Sequence, residues 1–207
     1  MNVNDSQVID IFEREVAKYA GSKYGVAVSS QTNAIFLCLE LLKHQRKLRE
    51  GATITIPKRT YMSVPMSILN AGCKISFNDE KWSGAYNLKG TNIYDSAVRF
   101  TKDMYVRGSL YCVSFQYRKA LPIGRGGMIL TDSKEEYELL HKLCFNGRAN
   151  GVSQADDIYN VRGWNFYLTP EQAARGLTLM SILPEKNKDI ASWQDYPDLS
   201  KQEIFLK

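Results

Sequence analysis

Helix-like and strand-like segments alternate along this chain, and that alternation limits its fold more than any other feature. Strand-like runs recur at Val26–Val28, in ATITIP, CKISFND and NIYD, at Leu110–Phe115 and at Gly127–Thr131. Between them lie helical stripes. Ile9, Phe12, Val16 and Tyr19 mark a helix capped by Asp5 or Ser6 and ended by Gly21. Ala34–Leu42 is too long and too leucine-rich for a strand, and Met62–Leu69 reads as a further helix. Ser133 caps a helix with the stripe Tyr137, Leu140 and Cys144, and Pro170 occupies the first turn of another. Strands separated by helices predict an α/β layered sheet, mostly parallel. Periodicity stops after Pro184, so the expected division is a domain over 1–183 and a polar C-terminal tail over 184–207.

Composition then removes several functions. With 207 residues and 44% hydrophobic content there is enough chain for one buried core. His44 and His141 are the only histidines, which argues against a histidine-rich metal site and against Ser-His-Asp chemistry; no metal is expected. Cys38, Cys73, Cys112 and Cys144 lie far apart without a CxxC pair, and three sit in apolar runs, so buried reduced thiols and a cytoplasmic setting are predicted. MNVNDSQ is polar, so no signal peptide is expected, and no run is long and apolar enough for a membrane span. The basic run KHQRKLRE has no interleaved aromatics and reads as a solvated helix end rather than a nucleic-acid site.

In an α/β sheet, ligands gather at the carboxyl ends of strands. Four polar clusters fall there: SSQTN, PKRTY, YDSA and SFQYRK. Ser29–Asn33 joins a strand to a helix, where first-turn amides suit an anion such as phosphate, or where Ser30 or Thr32 simply caps. Asp95 ends an apolar strand and needs a cationic or N–H partner. Tyr61 is a stacking platform or a core residue. Lys119 lies between two core strands, a poor place for a solvated amine.

Taken in order, these segments resemble the DegT/StrS-type nucleotide-sugar aminotransferases, pyridoxal-phosphate-dependent enzymes of fold type I. FEREVAKYAGSKYGVAVSSQTNAIFLCLELL is similar to that family's opening helix, strand and phosphate loop. ITIPKRTYMSVPMSILNAGCKISFND resembles its next strand, aromatic-bearing loop, helix and strand. YDSA resembles its D-x-A element, SFQYRK…GRGG its lysine element, and GWNFYLTPEQAARG its G-x-N-x-R segment. The resemblance implies a three-layer α/β/α large domain with the C-terminal domain missing.

It also implies roles. Lys119 would form the internal Schiff base with pyridoxal 5′-phosphate, its pKa lowered by burial and by Arg118. Asp95 would pair with the ring nitrogen, and Tyr61 would stack on the ring. Gln31 and Thr32 amides and the Ser114 hydroxyl would take the phosphate. Asn165 would reach the phosphate of a neighbouring subunit in a homodimer with a shared site. The implied reaction moves an amino group from an amino acid, glutamate by expectation, to a nucleotide-linked keto sugar. Gln31 stands where the family has glycine, Val98 where it has glutamine, Arg125 where it has glutamate and Tyr167 where it has arginine. These departures keep open a PLP-binding or cofactor-free relative that regulates rather than catalyses.

Overall fold

The computed structural model describes residues 5–149 and 151–205. Its main sheet has five strands in the order β1 (Tyr24–Val28), β7 (Gly127–Thr131), β6 (Leu110–Ser114), β5 (Ile93–Ser96) and β4 (Tyr86–Asn87). β2 (Thr53–Pro57) and β3 (Lys74–Asn78) form a parallel pair joined through α3 (Ser63–Asn70). Reciprocal backbone bonds between Thr55 and Lys89, 3.1 and 2.9 Å, tie that pair to the chain just after β4.

Strand side chains alternate between two covered faces, as a pleated backbone requires. Val26, Val28, Cys112 and Ile129 pack with α2 (Gln31–His44) and α4 (Lys134–Cys144) in one cluster. Ala27, Tyr111, Val113, Met128 and Leu130 pack with α1 (Asp5–Ala20) and α5 (Pro170–Met180) in the other. The layers are therefore helix, sheet, helix. α2 buries Ala34, Ile35, Leu37, Cys38, Leu39, Leu41 and Leu42, which explains its near-continuous apolar sequence. Gly21, at φ +88°, ends α1 in the left-handed region that favours glycine. The side chains of Asp5 and Ser6 lie outside the described residues, whereas Ser133 caps α4 by accepting from the Glu136 N–H at 3.2 Å.

The expected mostly parallel sheet is corrected to a mixed one. In the main sheet only β5 and β6 run parallel; β1–β7, β6–β7 and β4–β5 are antiparallel. Connection length explains this. The link 115–126 holds no helix and folds on itself, with Ile123 N–H donating to Phe115 O at 3.1 Å, so β7 returns against β6. The link 88–92 is of hairpin length.

The segment after Pro184, read from sequence as a polar tail, lies along the domain. Asp189 receives two bonds from Arg99, 2.8 and 2.7 Å, Asn187 donates to Phe100 O at 3.0 Å, and Leu199 N–H donates to Lys58 O at 2.8 Å. All four cysteines are free and buried. Among the described residues no helix is long and apolar enough to cross a membrane, and no cluster of ligating side chains could hold a metal.

One buried ion pair joins the helical layers around the edge strand β1. Glu13 of α1 accepts the Ala27 N–H at 2.7 Å, and its other oxygen lies 3.1 Å from His141 Nε2 of α4. Burial alone would lower the His141 pKa, but the Glu13 charge and hydrogen bond, with the Asp10 charge, together outweigh it and hold the imidazole above its ordinary value. A raised histidine contributes stability that is complete below the unfolded-state pKa and is lost as pH rises through the folded-state value. Replacing His141 by glutamine is expected to lower stability by about 3 kcal/mol at pH 6. It should also flatten the decline above about pH 6.5 that denaturant titration would record for the wild type.

Candidate active site

The ends of β5 and β6 and the start of α2 surround a cavity of about 550 Å³, within the range of ligand pockets. Gln31, Thr32, Tyr61, Asp95, Ser114 and Lys119, residues far apart in sequence, all line it. Each arrives by a simple local route. Ser30 caps α2, its hydroxyl accepting the Asn33 N–H at 3.1 Å, which leaves the first-turn amides of Gln31 and Thr32 without intrahelical acceptors. Ser114 ends β6 opposite Gly127, and Gly127 is required there: an added Cβ would stand 2.6 Å from the Gln31 nitrogen.

Asp95 is 4% exposed and is held by three donors. Oδ1 accepts the Ala97 N–H and the Gln31 Nε2–H, both at 2.9 Å, and Oδ2 accepts the Tyr86 O–H at 2.7 Å. Tyr86 also contacts the Thr60 hydroxyl. Burial raises the Asp95 pKa; the Tyr86 and Ala97 hydrogen bonds and the Lys119 charge oppose that rise. Lys119 follows a tight turn, its N–H donating to Gln116 O at 2.9 Å, and the residue is half-buried in the cavity wall. Burial lowers its pKa against the opposing pull of Asp95. The expectation that Arg118 helps is corrected: its guanidinium lies over the Tyr117 ring, 5.2 Å from the centroid, and desolvation lowers the amine.

Tyr86, Thr60 and Tyr196 belong to this site and were not read from the sequence. β4, which carries Tyr86, is two residues long and has no periodicity to detect, while Tyr196 comes from the docked segment after Pro184. The Tyr196 phenol is pushed up to about 12, by burial first and then by the Asp95 charge. Val98 and Arg125 also line the cavity.

Asn165 lies elsewhere. It is exposed and bridges Phe145 beyond the end of α4. Its neighbours Trp164 and Phe166 are partly buried against Phe36 of α2, with ring centroids 5.0 and 6.0 Å away. The main chain draws them in, since the Trp164 and Phe166 N–H groups donate to Leu143 O and Cys144 O at 2.7 and 2.9 Å.

The DegT/DnrJ/EryC1/StrS aminotransferase family model matches residues 3–102 and 96–196. The chain belongs to that family. The fold of this family member is shared with solved structures of low identity. AtS13 from Actinomadura melliaura is 18% identical at a TM-score of 0.71, covering 85% of this chain and 60% of that one. An Escherichia coli GDP-4-keto-6-deoxy-D-mannose-3-dehydratase with bound hydrated PLP is 18% identical at 0.72, covering 86% and 60%. NtdA from Bacillus subtilis with bound cofactor PMP is 19% identical at 0.70, covering 85% and 48%. The family member thus spans no more than about three fifths of these proteins. No curated protein matches it by direct sequence comparison. The large domain of fold type I is the architecture they share.

Proposed function

We propose that this chain is a pyridoxal-phosphate-dependent aminotransferase acting from an amino acid, glutamate, on a nucleotide-linked keto sugar. The observation that carries the reading is a half-buried amine of lowered pKa, Lys119, sharing one cavity with a buried carboxylate, Asp95. The cavity lining fits what the cofactor needs: Lys119 would offer an amine for its carbonyl, Asp95 a carboxylate for its ring nitrogen, and the start of α2 an anion pole. When bound, pyridoxal phosphate would supply a ring that accepts electrons from the carbon losing its proton.

The chain's own residues do the rest. The Gln31 and Thr32 amides and the Ser114 hydroxyl would hold the phosphate, with the helix dipole favouring its charge. Asp95, fixed by its donors, would keep a proton on the ring nitrogen. Tyr61, 57% exposed on the cavity wall, would cover one ring face. Lys119 Nζ, whose pKa burial lowers, would be the attachment point, and after release would take the proton from one carbon and return it to another. Water-exclusion on one side would fall to Trp82 and Tyr196, whose rings meet at a tilt with centroids 5.6 Å apart in the wall.

The direct test mixes purified protein with pyridoxal phosphate and glutamate and measures 2-oxoglutarate. One equivalent per cofactor-loaded site is expected without any acceptor. Tight cofactor binding with no oxoacid would favour the second reading, a cofactor-binding or regulatory relative. That reading has one observation behind it, the Gln31 side chain already bonded to Asp95.

We also propose a homodimer whose site is completed by the partner's copy of the exposed loop bearing Asn165. Mixing inactive Asn165→Ala and Lys119→Ala proteins should restore activity, because each heterodimer holds one site with both defects and one intact site. No recovery under conditions where subunits exchange, or sedimentation as a loaded monomer, would refute it.

A further inference from the structure

We infer that Gln31 sets how tightly the cavity holds pyridoxal phosphate, because its own side chain occupies the path between the phosphate pole and Asp95. The inference rests on the cofactor reading above. Gln31 is the first residue of α2, so its backbone lies at the positive end of that helix. Its carboxamide ends on Asp95 Oδ1 at 2.9 Å, and the whole residue is 6% exposed. One residue therefore spans the two poles that a bound cofactor would bridge with its phosphate and its ring nitrogen.

Two further features make this a competition rather than an accommodation. The carboxylate is well supplied without any ligand, since Ala97 and Tyr86 donate to it as well as Gln31. An ionised carboxylate offers about two acceptor sites on each oxygen, so Gln31 and Ala97 fill Oδ1 while Oδ2 carries Tyr86 alone. The Gln31 backbone also has no room to retreat, because Gly127 of β7 lies so close that even a methyl group there would sit 2.6 Å from the Gln31 nitrogen. At Oδ1, relief has to come from rotation of the side chain, which breaks the Gln31 bond to Asp95 before the ring nitrogen can replace it.

Gln31→Gly and Gln31→Ala keep the backbone amide at the helix start and remove the competitor. Each is expected to bind pyridoxal phosphate about ten- to a hundredfold more tightly than the wild type, the range for a hydrogen bond to a charged group. Without the cofactor each should melt below the wild type, since Asp95 loses a donor. Equilibrium dialysis and melting curves read the two effects separately. A residue with only a packing role would lower both the melting temperature and the affinity. If the wild type binds pyridoxal phosphate and neither variant binds more tightly, the inference is wrong and the cofactor reading stands. If none of the three proteins binds it, the cofactor reading fails and this inference fails with it.

Discussion

Lys119→Ala is expected to abolish covalent capture of pyridoxal phosphate and to reduce amino transfer by about a thousandfold, the scale of losing a positioned acid–base group. The amine is half-buried, it shares one cavity with the Asp95 carboxylate, and desolvation lowers its pKa below that of an ordinary lysine. Borohydride added to the cofactor-loaded wild type should leave one adduct, located on Lys119 by mass spectrometry, and none in the variant. The pH dependence follows from the direction of the shift. A lowered lysine pKa means that the reactive free amine accumulates below the ordinary lysine value of 10.5, so the capture rate should rise with pH and level off before that point. An identical adduct in Lys119→Ala would remove the assignment.

Asp95→Asn carries the second large effect. The carboxylate is nearly inaccessible and receives donors from Gln31, Ala97 and Tyr86. An amide in its place cannot hold a proton on the ring nitrogen, so glutamate-to-cofactor transfer should fall by about a hundredfold or more. Cofactor affinity should change less, because the proposed phosphate contacts come from α2 and Ser114. Single-turnover kinetics and equilibrium dialysis separate the two quantities. Equal single-turnover rates in the two proteins would show that Asp95 does not govern the ring.

Much of this was legible because burial in a layered fold writes itself into local periodicity. Phe12 and Val16 of the α1 stripe are fully buried, and β7 falls on Gly127–Thr131 as read. Pro170 opens α5 behind a Thr169–Gln172 capping box. Strand direction was not legible, since an apolar run reads the same in either sense; it was decided by links such as 115–126, which carry a lysine turn instead of a helix. The candidate site was legible where a polar residue lies at or next to the end of an apolar strand, as Ser114 and Asp95 do. It was hidden where a residue arrives from an irregular piece of chain, as Tyr86 and Tyr196 do. The bond from Gln31 to Asp95 had no sequence signal, because it depends on β5 and the start of α2 meeting in space.

The pairing of β1 with β7 has a kinetic consequence. These strands meet across about a hundred residues of chain, and closing so large a loop precedes any gain from the contacts it allows. The proposed phosphate pole of the cavity lies at this seam, where Gly127 lies close against Gln31. It cannot exist in a partly assembled chain that has yet to bring the two strands together. A small molecule that recognises only the closed seam therefore has nothing to hold during assembly; it leaves the refolding rate unchanged and lengthens the lifetime of the finished fold.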